Sequence, residues 1–353
     1  MPGEKTEQRK AEHLKICAKG DLGKITFTNK TTGFEEIDLI PSALPEISKD
    51  EVELETEFLG KPLAFPLIVS SMTGGCKEAG EVNNDIASAC EELGIGMGVG
   101  SMRAMIENPA LAYTYKVRDV APNIFLNGNI GVSQLKGMDL EKLAGALNEV
   151  DADALAIHLN PAQEAVQKEG TTDFKGLAKE IERTVKKLSA PVFVKEVGNG
   201  ISRETARLLV QTGIQAIDVS GAGGTNWVKI DAMRGKNTNA EYLYEWGVPT
   251  ALAIVEARSV YNQTILASGG IRNGLDIAKA LILGADLCSI ALPVLRAQAD
   301  GGKEGVVEYL TRIQGELRTV MFLVGAKNLN ELKDKKIVVH GKMREWLKQR
   351  GKG

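Results

Sequence analysis

The chain is poor in the residues from which many active sites are built. It has three histidines, His13, His158 and His340, and four cysteines, Cys17, Cys76, Cys90 and Cys288. The cysteines are scattered, form no C-x-x-C pair and lack a matching pair of histidine ligands. A zinc site or a disulfide framework is therefore excluded, and a reducing compartment fits. Aromatic residues make up only 5%, too few for a base-stacking platform. Neither sign of charge dominates: 43 Lys and Arg face 46 Asp and Glu, a net charge of −3, which argues against a basic nucleic-acid binder. No run approaches the ~18 apolar residues of a membrane span. The N-terminal stretch MPGEKTEQRKAEHLKIC is charged and lacks the apolar centre of a signal peptide. The expectation is a soluble cytoplasmic protein, with neither nucleic acid nor membrane as partner.

What the chain does have is length and apolar content. Its 353 residues are 43% hydrophobic, enough for a sizeable core and incompatible with global disorder. Two domains of ~150 residues would fit, and so would one barrel of ~250 with extensions. Charge is uneven along it. Residues 327–353 hold nine Lys and Arg against Glu331, Asp334 and Glu345, leaving the rest at −9. That composition suits a solvated tail or a subunit contact better than a polyanion site.

Eight short apolar runs recur, beginning at Pro66, Gly94, Pro122, Ala154, Pro191, Ala216, Thr264 and Leu287. Most are continuous rather than alternating, the pattern of strands buried on both faces of a parallel sheet. Helix-like segments at 78–93, 174–188, 202–213 and 273–284 lie between them, with Ser202 and Asn273 as N-cap residues. Eight such units predict an α/β fold, a (β/α)8 TIM barrel with N-terminal and C-terminal extensions. A doubly wound sheet is the alternative, but the G-x-G-x-x-G turn is missing. Gly94, Gly96, Gly98 and Gly100 instead alternate along one strand and leave room for something bulky on one face. The expected divisions are 1–65, 66–326 and 327–353. Residues 222–248 make an unusually long loop after strand six, a candidate lid.

Barrel active sites gather at the C-terminal strand ends. In order, these ends offer Ser71, Met72 and Thr73; Ser101 and Arg103; Asn127 and Asn129; His158 and Asn160; Lys195 and Glu196; Ser220; Ser268; and Ser289. GGIRNG (269–274) opens a helix whose N–H groups, with Arg272, can hold a phosphate, and ALP (291–293) after strand eight can close the same seat. The turn could also be purely structural. Lys195 in VFVKEV reads as a Schiff-base nucleophile, as a cation facing an anionic cofactor, or as half of a barrel salt bridge. In HLNPAQE (158–164), Asn160, Pro161 and Gln163 have capping-box spacing. His158 and Glu164 exceed what capping needs, and a carboxylate beside an amide suits Mg2+ and substrate. GAGGTNW (221–227) is a glycine-rich turn with one hydroxyl, Thr225. RKAEH (9–13) gathers Arg9, Lys10 and His13 within about one helical turn, a patch suited to a diphosphate or simply a solvated face.

Taken together, RKAEH, SSMTGG, GVGSMR, NGNIG, HLNPAQE, KEVGNGIS, SGAGGTNW and ASGGIRNGLDIAKALILGAD resemble the type 2, FMN-dependent isopentenyl-diphosphate delta-isomerase family. The likeness runs from residue 9 to residue 293. Met102 departs from it, standing where the family pattern carries glutamine. The resemblance implies a homo-oligomer, a tetramer or octamer, that uses reduced FMN, Mg2+ and NADPH as reductant. It implies FMN contacts from Ser71, Met72, Thr73, Ser101, Asn129, Lys195, Ser220 and Thr225. The FMN phosphate would lie between Gly270, Ile271 and Arg272 on one side and Ala291 and Leu292 on the other. Isopentenyl diphosphate would be held by Arg9, Lys10, His13, Ser101, Arg103, His158, Asn160 and Gln163. Glu164 would ligate Mg2+, and Gln163, Lys195 and His158 would serve catalysis. The reaction implied is a 1,3-allylic proton shift to dimethylallyl diphosphate, with flavin as acid and base.

Three rivals remain at this level. An FMN oxidoreductase of a 2-hydroxy acid or small phosphorylated substrate wants a histidine near the end of strand seven, and ASGGIR has none. A nucleotide dehydrogenase wants a cysteine after strand six, where this chain has Thr225. A non-catalytic flavin-binding barrel would not call for His158, Gln163 and Glu164.

Overall fold

The computed structural model describes residues 2–351, so Lys352 of the basic segment lies outside the described residues. The eight apolar runs supply the eight strands of one closed parallel barrel: β1 Leu67–Val69, β2 Gly96–Gly98, β3 Leu126–Gly131, β4 Ala154–Leu159, β5 Val192–Glu196, β6 Ala216–Asp218, β7 Thr264–Ala267 and β8 Leu287–Ile290. Spatial order follows chain order, and β8 closes on β1 through Cys288 with Leu67, Ser289 with Ile68 and Ile290 with Val69. Continuous apolar sequence has its physical cause here, because helices cover the outside while side chains fill the inside. All five residues of β5, Lys195 and Glu196 included, are buried. Ser202 and Asn273 cap their helices by accepting from the Thr205 and Asp276 N–H groups.

The third strand begins later than its apolar run. Pro122 to Phe125 form a lead-in, with Asn123 held by the Glu91 carboxylate. Phe125 turns into the base of the barrel and packs edge-on against Phe58 at 4.7 Å, and Phe58 meets Phe193 at 5.7 Å. Phe58 belongs to an antiparallel hairpin, Thr56–Phe58 with Lys61–Leu63, that plugs the N-terminal end of the barrel. The strand-two glycines serve the same internal packing. A Cβ on Gly96 would stand 2.9 Å from Phe125 Cβ, and one on Gly100 2.6 Å from the Thr73 backbone. What approaches that strand is the chain itself.

The N-terminal helix, Pro2–Lys19, lies at the opposite end and lines the barrel mouth with Arg9, Lys10 and His13. Residues 222–248 fold as a helix, Trp227–Gly235, and a 3-10 turn, Thr238–Leu243. They are docked rather than loose. Lys229 Nζ donates to Thr26 O at 2.7 Å and to Thr28 Oγ1 at 2.6 Å, and the Glu245 carboxylate accepts from three successive N–H groups, Thr28 to Lys30.

The basic segment folds back on the barrel. Ile337–Val339 pairs antiparallel with Ile37–Leu39, and the following helix, Gly341–Gln349, buries Met343. Arg350 donates to Glu204 and Glu256, and Trp346 Nε1 to Glu256. Lys333 is likewise paired internally, with Asp286 at 2.8 Å.

Candidate active site

The polar groups at the strand ends converge on one cavity of about 560 Å3. From the N-terminal helix come Arg9, Lys10 and His13; from β1, Ser71, Met72 and Thr73; from β2, Ser101 and Arg103; from β3, Asn129. β4 contributes His158, Asn160, Gln163 and Glu164; β5 Lys195; β6 Ser220 and Thr225; β7 Gly270, Ile271 and Arg272; β8 Ala291 and Leu292. Lys195, Thr225 and Arg272, from three different strands, thus line the same space; of the strand-end residues named from the sequence, Asn127 and Glu196 do not, Asn127 donating to Ser71 Oγ at 3.1 Å and Glu196 accepting from the Gly198 N–H at 2.6 Å.

One wall is crowded with cations. Burial and the neighbouring Arg9 and Arg103 push the Lys10 amine down to about 8, and burial with Arg103 lowers Arg9. Stacking like charges in a half-dry cleft is unfavourable unless an anion joins them. His158 stays neutral: burial first, then Lys195, Lys10 and Arg9, push it down to about 3. Its Nδ1 lies 2.7 Å from Asn129 Oδ1, so Nδ1 is the protonated, donating nitrogen and Nε2 keeps its lone pair.

The β4 turn is not a capping box. Asn160 occupies the cap position, but its side chain makes no cap hydrogen bond. Its Nδ2 donates instead to Gln163 Oε1 at 3.2 Å and to Glu164 Oε1 at 2.9 Å. Asn160 Oδ1 is buried with no hydrogen-bond partner, an oxygen short of a donor or a cation. Gln163 Nε2 donates to Asp231 Oδ2 at 2.7 Å, which fixes the amide's orientation.

On the neighbouring strand, in register with His158, Lys195 Nζ donates to Glu196 O at 2.7 Å, and among the described residues it makes no ion pair with a carboxylate. No direct ion pair takes up its charge, and Asp218 stands in register with it on β6. Arg272 acts as a strut: Nη1 donates to Gly270 O at 3.0 Å and Nη2 to Gly223 O at 2.7 Å, joining the β6 and β7 loops. Ser220 has φ 36°, a left-handed conformation for a non-glycine residue, and such strain is commonly held at functional sites. Met102 sends its side chain into the core, while its N–H donates to Asn129 O at 2.8 Å. Its departure from the family pattern leaves the cavity lining untouched.

A family model for FMN-dependent dehydrogenases matches residues 6–112 and 132–339. The chain is 43% identical to an isopentenyl-diphosphate delta-isomerase of Pyrococcus abyssi, over 98% of this chain and 96% of the relative. It is 45% identical to one of Methanocaldococcus jannaschii, over 98% and 97%. The chain belongs to the isopentenyl-diphosphate delta-isomerase family, within the FMN-dependent dehydrogenase barrels.

Solved structures share the fold with far less sequence. A mandelate oxidase superposes with a TM-score of 0.65 at 18% identity, covering 96% of this chain and 97% of that one. A flavocytochrome b2 gives 0.66 at 18% identity, covering 95% and 85%. Within the isomerase family, the residue missed in the sequence reading is Asp231. Fully buried on the helix after β6, it lies 2.9 Å from His13 Nε2 and accepts from Gln163 and Arg234. Burial alone would raise its pKa, but His13, Gln163 and Arg234 outweigh it and hold Asp231 below the usual carboxylate range. An acidic residue in a mostly apolar stretch of the long loop, WVKIDAM, was the available signal.

Proposed function

We propose that this protein interconverts isopentenyl diphosphate and dimethylallyl diphosphate by a 1,3-allylic proton shift, using reduced FMN and Mg2+, with NADPH as reductant. The observation that carries the proposal is the crowding of Arg9, Lys10 and Arg103 around neutral His158, which stands in register with Lys195 on the neighbouring strand. A dianionic or trianionic head relieves that crowding, and its short hydrocarbon tail then extends toward the centre of the barrel mouth.

In this reading Arg9, Lys10, Arg103 and His13 bind the diphosphate, and remote binding energy positions the alkene. Neutral His158 accepts at Nε2 from the substrate or its water. The donor set suits Mg2+: Glu164 supplies a carboxylate and Asn160 Oδ1 an unsatisfied oxygen. No group of three or more His, Cys, Asp or Glu among the described residues could hold a metal alone. The ion would share the diphosphate oxygens, as Mg2+ commonly does.

The cavity also suits FMN, with Ser71, Met72, Thr73, Ser101, Asn129, Ser220 and Thr225 around the ring and ribityl chain and the Gly270–Arg272 and Ala291–Leu292 turns at the phosphate. Reduced flavin supplies an electron-rich face and a ring nitrogen able to carry a proton. Lys195 favours its anionic form by charge. Gln163, locked between Asn160 and Asp231, orients the reacting carbon, and the docked β6 loop excludes water from the developing cation. The free, buried cysteines support a cytoplasmic setting, and the family reading supports a homo-oligomer, a tetramer or octamer.

The test is an anaerobic incubation with FMN, NADPH, Mg2+ and isopentenyl diphosphate. Dimethylallyl diphosphate should form without stoichiometric consumption of NADPH. Bound, reduced flavin with no product would overturn the assignment, and stoichiometric NADPH oxidation would favour an oxidoreductase.

A further inference from the structure

A carboxylate that lines no part of the cavity lies directly beneath it. Asp218, at the end of β6, is 1% exposed. Ser268 Oγ donates to its Oδ1, Ser289 Oγ to its Oδ2 at 3.1 Å, and the Ser220 N–H to Oδ1 at 3.3 Å. Those three donors come from β7, β8 and the end of β6. On the other side, Asp218 is in register with Lys195 on β5. Nothing in the barrel's packing requires an acid here. Buried carboxylates are costly, and this one is surrounded by groups that donate to it.

We infer that Asp218 is a positioning residue for the cofactor: it fixes the Ser268 and Ser289 hydroxyls as acceptors toward the cavity and offsets the charge of Lys195. The argument rests on the FMN reading above. Each serine has one hydroxyl proton, and each gives it to Asp218. Toward the cavity both oxygens therefore present lone pairs. Ser268 leads into the Gly269–Arg272 turn and Ser289 into Ala291–Leu292, so the two acceptors lie between the phosphate seat and the ring. Their natural ligands are the hydroxyl groups of a polyol chain. The negative charge has a second effect. Lys195, unpaired on its own strand, would otherwise stabilise an anionic reduced ring without restraint. A counter-charge one strand away sets how strongly it does so.

The test uses the full chain, titrated anaerobically with FMN. Dissociation constant, midpoint potential and the pH at which reduced flavin changes from neutral to anionic are read for wild type, Asp218→Asn and the Ser268→Ala/Ser289→Ala double variant. Removing the charge in D218N should move the potential to more positive values and the neutral-to-anionic transition to lower pH. The double variant strips the carboxylate of its side-chain donors, favours its protonation and should shift both readings in the same direction, with weaker FMN binding. Lys195→Met should shift them the opposite way. If D218N folds poorly, the double variant carries the test. Wild-type potentials in both variants, or a negative shift in D218N, would overturn the inference while leaving FMN binding intact. Failure of the wild type to bind FMN would instead overturn the cofactor reading itself, and this inference with it.

Discussion

His13 Nε2 lies 2.9 Å from Asp231 Oδ1, although 218 residues of chain separate them. The contact ties the N-terminal helix to the helix after β6, and Asp231 passes the constraint to Gln163 through its other oxygen. One buried carboxylate thus aligns His13 with Gln163, the histidine proposed to bind the diphosphate and the amide proposed to face the reacting carbon. Asp231→Asn keeps the size and removes the charge. The expected outcome is a rise of about tenfold in substrate KM, equivalent to ~1.4 kcal/mol, with FMN affinity unchanged. Steady-state kinetics and flavin titration check it; a lower FMN affinity with normal KM would show that Asp231 serves the other half of the cavity.

Lys10 gives the site a pH dependence whose direction is fixed. Its amine is pushed down to about 8 by burial and by Arg9 and Arg103. Above that pH the free enzyme loses one of the cations proposed to bind the diphosphate. KM should rise by up to ~10-fold per pH unit, with kcat changing less. Lys10→Arg keeps the charge and should hold KM level to about pH 10. The stability of the ligand-free protein moves the other way. Between about 8 and the ordinary lysine value of 10.5, the unfolded chain holds the proton and the folded one does not, so stability rises with pH. Parallel curves for wild type and K10R would remove Lys10 from the clamp.

The barrel was legible because each strand is buried on both faces and each run ends in small or polar residues. The start of β3 was not, because Phe125 is apolar for a reason unrelated to the sheet: it fills the barrel base beside Phe58. The cavity lining was legible at strand ends and in the family motifs. Asp231 and Asp218 were not, since their roles depend on partners brought in from distant strands and helices. The turn at Asn160 has the spacing of a cap, and only coordinates reveal that its amide is spent on Gln163 and Glu164 instead.

The C-terminal segment was read as a charged tail or subunit contact, and its charge hid three buried apolar residues, Leu329, Leu332 and Met343. Met343 is 1% exposed, in a helix whose Trp346 and Leu347 are partly buried against the same core. Met343→Ala should cost about 2 kcal/mol, the low end for truncating a buried methionine, because a peripheral site can partly collapse. Chemical denaturation measures it. Activity per folded molecule should be unchanged, since the helix lies away from the barrel mouth. An unaltered unfolding midpoint would mean that the segment's other apolar contacts and its ion pairs hold it without Met343.

The β6 and β7 loops touch through bare backbone. A Cβ on Gly224 would lie 2.3 Å from Gly270 N, and backbone on both sides cannot swing away as a side chain would. Gly224→Ala should therefore spread the two loops, disturb the Arg272 strut between Gly223 O and Gly270 O, and weaken FMN binding by tenfold or more, about 1.4 kcal/mol per decade. Titration with FMN checks it. Wild-type affinity would place the phosphate elsewhere.

Glu164 offers the sharpest separation between metal and flavin. Its Oε1 accepts from Asn160 Nδ2 and its Oε2 from the Thr171 N–H at 2.6 Å, so the side chain is already held in place before any cation arrives. Glu164→Gln keeps the size, can retain one of those two accepted bonds, and removes the negative charge beside the unpaired Asn160 oxygen. A divalent ion bound there through substrate oxygens loses its charged protein ligand. Isomerisation should fall by about 100-fold or more, the scale on which a lost ligand or its support weakens a metal site, and the Mg2+ concentration for half-maximal rate should rise. FMN should remain bound with an unaltered spectrum, because Lys195 and the β7 and β8 turns are untouched. Flavin loss in this variant would mean that Glu164 supports the cofactor rather than the metal. Full activity at wild-type Mg2+ would remove it from the reaction altogether.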